Sequence, residues 1–106
     1  MNRGEIWLYR FGAPDKRRPV LVLSRPSLLR VLQTATVVWI SSAIHGSGVE
    51  VILDIEDGLK NRSAVNLANV FTVRQRELEH YVGSVSSKKM HEICQALANA
   101  TGCDGT

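Results

Sequence analysis

Two short apolar runs constrain this chain more than anything else in it. Pro19–Ser24 (PVLVLS) and Thr34–Ile40 (TATVVWI) are continuous stretches rich in β-branched residues. Both have the length of strands rather than helices, and neither is interrupted by the polar positions of an amphipathic surface. Continuous apolarity means that both faces of each strand are covered, so these runs form the centre of a sheet. The proline that opens the first run is tolerated because the first strand position need not donate to the ladder.

The other segments arrange themselves around that centre. Glu5–Phe11 (EIWLYRF) alternates loosely and reads as a strand, and Gly12–Arg17 reads as a loop with Gly, Pro and Asp as breakers. Pro26–Leu32 reads as a loop or one helical turn, and His45-Gly46-Ser47-Gly48 as a flexible connection. Val49–Ile55 alternates, with Val49, Val51, Leu53 and Ile55 on one side. Asp57-Gly58 is a turn signal. Ser63–Val73 is long for a strand and is expected to bend or bulge. Arg74–His80 is charged and helix-compatible, and Tyr81–Val85 is a short strand. Ser86 or Ser87 is placed to cap a helix starting near Lys88. On it Met90, Ile93, Cys94, Leu97 and Thr101 recur at helical spacing, and Gly102 stops it. The expectation is one domain over residues 1–106, mainly β with a closing C-terminal helix.

Charge adds a direction. The net charge is +3, but residues 1–30 hold seven cations against two anions, a local excess of +5 opposed by −2 in the rest. Such a segment attracts polyanions in a salt-sensitive way, although on charge alone a solvated surface is the commoner explanation. Cys94 and Cys103 are too few and too badly spaced for a zinc site, and no CxxC occurs. Cys94 reads as core and Cys103 as a free thiol near the end. No signal peptide and no membrane-length apolar stretch are found, so a cytoplasmic protein is expected, with no membrane, metal or cofactor involved.

Two places carry chemistry. Lys16-Arg17-Arg18 stands at the mouth of the first apolar run, and the planar fork of arginine suits phosphate. An isolated arginine at a strand end is more often simply exposed. Ser41 and Ser42 end the second run; a serine there commonly satisfies nearby backbone groups. No GxSxG turn is present, which argues against a serine hydrolase. If both runs are central strands, Arg18 and Ser41 can lie close together.

Arg3-Gly4-Glu5-Ile6-Trp7, then Arg18-Pro19-Val20-Leu21-Val22-Leu23-Ser24, then Val37-Val38-Trp39-Ile40-Ser41-Ser42, resemble in order and distance the three signature blocks of the MazF/PemK toxin family. Ser63–Asn69 and the closing helix are similar in style, so the resemblance covers essentially the whole chain. It implies an SH3-like, strongly curved antiparallel sheet or partial barrel (MazF/PemK/CcdB-like) with a C-terminal helix, in a homodimer. It also implies cleavage of single-stranded RNA (mRNA, rRNA or tRNA) and neutralisation by a cognate, acidic, MazE-like antitoxin. The family's key arginine falls on Arg18 and its key hydroxyl, usually threonine, on Ser41. Two departures stand out. Gly12–Arg17 is shorter than the loop that many relatives use to read bases, so no cleavage motif carries over. An arginine and an aspartate of the PemK-like branch fall on Asn66 and Ala68, so that branch's catalytic set does not carry over either.

The chemistry stands without the resemblance. RNA brings its own nucleophile, the 2′-OH beside the scissile phosphate, so neither metal nor protein nucleophile is required. The enzyme must align the backbone, move two protons and stabilise charge on the phosphorane. Arg18 and Ser41 are the catalytic candidates: one clamps the phosphate, the other hydrogen-bonds a phosphoryl oxygen or orients the 2′-OH. Lys16, Arg17, Ser42, His45, Asn66 and Asn69 are the candidates for RNA binding. Arginine resists deprotonation, which makes Arg18 a poor base; His45 is the one histidine near this site and of a suitable type, although a plain surface-loop histidine is the commoner case, so the general base stays open. Asn66 and Asn69 serve base edges or turn chemistry equally well, and the aromatics serve base stacking or core. A CcdB-type gyrase poison and a non-catalytic RNA-binding barrel are the alternatives.

Overall fold

The computed structural model describes residues 1–12 and 16–105. The loop expected over Gly12–Arg17 therefore falls partly outside the described residues. Six strands form one antiparallel sheet: β1 (Glu5–Arg10), β2 (Arg17–Val22), β3 (Thr34–Ser41), β4 (Glu50–Leu53), β5 (Ser63–Arg74) and β6 (Leu78–Ser84). Their spatial order is β4-β5-β3-β2-β1-β6. The two apolar runs became β2 and β3, side by side at the centre. Pro19 faces Leu8 of β1, while pairing with β3 begins only at Val20, so its missing N–H breaks no bond on that side.

Alternation gives this sheet two distinct faces. On one, Ile6, Leu21, Val38, Ile40, Leu53 and Val65 join Ile93 and Ala96 of helix α2 (Ser87–Thr101) in an aliphatic core. On the other, Val20, Val22, Val37 and Val73 pack with Leu29 of the short helix α1 (Pro26–Val31) and with Trp7, Tyr9, Trp39 and Phe71. Gln75 fastens α1 to the sheet: its amide nitrogen donates to the carbonyls of Leu29, Leu32 and Thr34 at 2.8–3.0 Å. α2 starts where expected, with the Ser86 hydroxyl accepting from Lys89 N, and stops at Gly102 in a left-handed conformation (φ 78°).

The sheet curls until its outer strands nearly meet. β4 and β6 lie at opposite edges of the order, yet Asp57 and Gly58, just after β4, press against Val82 and Gly83 of β6. A Cβ on Gly83 would overlap the Asp57 carbonyl oxygen, so only glycine permits this approach. Asp57 is buried, accepts from Asp54 N at 2.9 Å and lies 3.6 Å from the Lys89 ammonium, which also donates to the Ile52 carbonyl at 2.9 Å. Lys89 thereby ties α2 to the seam.

Four sequence expectations change. β4 ends at Leu53 rather than Ile55, because Asp54 and Asp57 cap a 3-10 turn over Ile55–Asp57 and leave Ile55 70% exposed. Arg74–His80 is not helical beyond a 3-10 turn at Gln75–Glu77: β6 already starts at Leu78, whose side chain is buried and whose backbone faces Tyr9. Cys94 is not core. It sits half-exposed, with its sulfur accepting from the Arg3 guanidinium at 2.6 Å, and Ala96 takes the buried position instead. Thr101 is exposed and returns its hydroxyl to the Leu97 carbonyl.

Candidate nucleic-acid cleavage site

β5 is twelve residues long, and it bulges as its length foretold. Opposite β3, Val38 faces Val70 but Ile40 faces Val65, so residues 66–69 of β5 stand against the single residue Trp39. A bulge bends its strand and re-aims side chains. Here the Asn66 side-chain oxygen accepts from Ala68 N at 3.0 Å, an Asx turn that shapes the bulge. The extra residues let both Asn66 and Asn69 line one small cavity of about 120 Å³ with Trp39, Ser41, His45 and Glu50.

Arg18 borders this cavity through Trp39. Its guanidinium lies 5.0 Å from the centre of the Trp39 ring, a cation–π arrangement that holds the head group in place while leaving its donors free. Trp39 itself stacks on Phe71 (4.6 Å between centroids, 27° between planes), and Tyr9 and Phe11 complete the cluster. Among the described residues no carboxylate pairs with Arg18, whereas Arg17 and Arg10 both reach Glu79, at 3.6 and 2.8 Å. An arginine held by an aromatic face rather than by an anion keeps its charge available to a phosphate.

Ser41 is half-buried, and its oxygen accepts from Ala43 N at 3.1 Å, the local turn chemistry expected of a strand-end serine. That bond uses a lone pair and leaves the hydroxyl hydrogen free to donate. The loop beyond it is organised by Glu50, which sequence reasoning passed over. Its carboxylate accepts from Ser47 N (2.7 Å), the Ser47 hydroxyl (3.0 Å) and His45 N (3.1 Å). Those backbone bonds, from Ser47 first and His45 second, hold the Glu50 carboxyl below its ordinary value of 4.5. The signal was present in the sequence as a Ser three residues before a Glu, a spacing that closes a small loop.

The eight sequence-selected residues thus divide. Arg18, Ser41, His45, Asn66 and Asn69 converge on one face of the sheet. Arg17 points to the opposite face and is engaged by Glu79. Ser42, one residue past Ser41, lines a different cavity on that other face. Lys16 is exposed beside Phe11, whose N–H donates to its carbonyl. Among the described residues no three His, Cys, Asp or Glu side chains converge as a metal site would require.

The chain is thus a curled antiparallel half-barrel with α2 on one face and, on the other, one arginine at the rim of a small cavity lined by Ser41, His45, Glu50, Asn66 and Asn69. The family model described as PemK-like, MazF-like toxin of type II toxin-antitoxin system matches residues 2–101, and the chain belongs to that family. The chain is 38% identical over 102 residues to a protein of Mycobacterium tuberculosis named probable endoribonuclease MazF5, covering 95% of this chain and 93% of that one. It is 31% identical over 90 residues to endoribonuclease MazF3 of the same species, covering 85% and 87%. Among solved structures, a mycobacterial endoribonuclease in complex with its cognate antitoxin superposes with a TM-score of 0.86 at 26% identity, covering 96% of this chain and 95% of that one. The Mycobacterium tuberculosis toxin MazF-mt6 superposes at 0.84 with 28% identity, covering 92% and 96%. These matches do not favour the CcdB-type alternative.

Proposed function

We propose that the chain is an endoribonuclease toxin that cuts single-stranded RNA without a metal, through attack of the 2′-OH on the adjacent phosphate. The observation that carries this reading is Arg18: a guanidinium with no acidic partner among the described residues, seated on Trp39 at the rim of the Ser41 cavity. Arg18 neutralises the phosphorane, and Ser41 donates its free hydroxyl hydrogen to a phosphoryl oxygen or orients the 2′-OH. Asn66 and Asn69 hold neighbouring sugar or base edges. Glu50 acts as a positioning residue: three donors occupy its oxygens and favour its charged form, which suits a loop anchor better than a proton shuttle. His45 lines the same cavity, which supports it as a candidate to accept or deliver a proton; near-normal activity of His45→Ala would return it to a surface-loop role. Incubation of the purified protein with single-stranded RNA in EDTA, followed by end-group analysis, tests the reaction. Discrete cuts bearing 2′,3′-cyclic phosphate and 5′-OH ends are expected; 3′-OH and 5′-phosphate ends, or loss of cutting in EDTA, sink it.

An acidic antitoxin segment competes for the same cationic face, since carboxylates mimic the phosphate track. A mycobacterial relative was solved with its cognate antitoxin, which supports that partner here. The chain works as a homodimer: Leu28, Val31 and Leu32, neighbours on and beside α1, are 45–75% exposed and offer an apolar patch to a second copy. Light scattering reporting only the 11.7 kDa species at micromolar concentration contradicts this.

A further inference from the structure

Arg18 and Ser41 lie on neighbouring strands, and one side chain belongs to the surroundings of both. Val20 of β2 pairs with Trp39 of β3. Arg18 is two residues before Val20, and Ser41 is two residues after Trp39, so a period of two puts all four on one face of the sheet. Arg18 and Trp39 are then diagonal neighbours across the strand pair, a separation that long and aromatic side chains bridge. The guanidinium does so, 5.0 Å from the centre of the indole. Trp39 also lines the cavity of Ser41, His45, Asn66 and Asn69.

The indole is itself held. Phe71 stacks on it at 4.6 Å, Phe11 meets it edge-on at 5.5 Å, and Tyr9 lies tilted against it at 5.6 Å. Arg18, by contrast, has a long side chain with much rotamer freedom to lose, and among the described residues no carboxylate restrains it. A charge that wanders stabilises a phosphorane poorly, because electrostatic catalysis needs its donors in place beforehand. A carboxylate would fix the guanidinium but occupy its donors. An aromatic face restrains it and leaves them free.

We propose that Trp39 is a positioning residue of the cleavage site, whose ring holds the Arg18 guanidinium at the rim of the Ser41 cavity and adds to the rate only through Arg18. The role rests on the ribonuclease reading above. It differs from both roles that the sequence left open to an aromatic residue, stacking on a base and filling the core. Phe71, stacked on the indole, supports it at one further remove from the substrate.

A double-mutant cycle tests this, read as single-turnover cleavage of one RNA sequence per folded molecule. Trp39→Leu removes the ring and should lower the rate about tenfold. Trp39→Phe keeps an aromatic face and should fall between that variant and the wild type. In an Arg18→Ala background, Trp39→Leu should cost almost nothing more, since the charge it positions is gone. An equal loss in both backgrounds overturns the proposal, because the ring then acts by itself, on an RNA base or on the fold. The restraint can also be read without substrate. NMR relaxation of the Arg18 Nε–H should show an ordered side chain in the wild type and a mobile one in Trp39→Leu; a side chain already mobile in the wild type overturns the proposal too. If the wild type cuts RNA but the cycle is additive, the role of Trp39 falls alone. If the wild type cuts no RNA, the ribonuclease reading falls and takes this role with it.

Discussion

On the face of the sheet beneath α2, Ile6, Leu21, Val38, Leu53 and Val65 are fully buried and none of them is polar. On the opposite face Val20, Val22 and Val37 are equally buried near α1, but toward the strand ends the residues become Tyr9, Phe11, Arg18, Trp39 and Ser41. Alternate residues of the same strands supply both surfaces. The covered face is filled with aliphatic side chains whose only task is to exclude water. The open face keeps aromatics that pack on one another and still present edges and faces to solvent. The difference teaches that a period of two lets one strand contribute to stability and to chemistry at once, with substitutions on the two faces nearly independent.

The largest expected effect tests the covered face. Ile93→Ala removes a fully buried side chain from the contact between α2 and the sheet and should cost about 2–5 kcal/mol in urea unfolding. Cleavage per folded molecule should stay near that of the wild type. A variant that keeps its stability but loses its activity would erase the division between faces.

Arg18→Ala tests the open face. Its cleavage rate should fall by a factor on the order of 10² or more, as for loss of a charge contact made in the transition state, while its unfolding midpoint barely moves because Arg18 makes no ion pair among the described residues. Arg18→Lys should recover only part of the rate, since a point charge does not replace a planar fork. Equal losses of stability and rate would mean that the cation–π contact with Trp39 is structural only.

Ser41→Ala should lower the rate by roughly 10–10²-fold, and Ser41→Thr, which keeps the hydroxyl, should stay close to the wild type. Single-turnover kinetics on one RNA sequence separates the two; indistinguishable rates for Ala and Thr would return Ser41 to its bond with Ala43.

The smallest effect concerns the loop. The Glu50 carboxyl is lowered from 4.5, so the folded loop prefers the charged form. Its contribution is complete above the unfolded value and disappears as pH falls through the lower folded one. The protection of the His45 and Ser47 amides, measured relative to their intrinsic exchange rates, should therefore fall on acidification below about pH 4.5, and in Glu50→Gln it should already be low at neutral pH. Unchanged protection in that variant would show that the loop holds its shape without the carboxylate.

Much of this molecule was legible before folding. PVLVLS and TATVVWI had to be central strands because nothing else buries continuous β-branched residues at that length. Ser86 and Gly102 bounded α2 because capping is local chemistry. Two of the four misreadings had opposite causes: the local Asp54–Asp57 caps ended β4 early, whereas Leu78 was drawn into β6 by a partner on β1 about seventy residues away. At the site, Arg18 and Ser41 could be named from the ends of the two runs. Arg17 could not be told from Arg18, nor Ser42 from Ser41, since which neighbour faces the cleft depends on register, and a slip of one residue exchanges the faces.

By itself, then, the sequence determined the strands, the closing helix and the residue types able to hold a phosphate, because these follow from periodicity, caps and side-chain chemistry within a few residues. Only the tertiary structure decided that Asn66 and Asn69 meet Ser41 across a bulge, that Glu50 braces His45, and that Arg18 rests on Trp39. Those features are set by pairings between segments distant in the chain, where the free energy of burying the whole sheet overrides what any short stretch prefers.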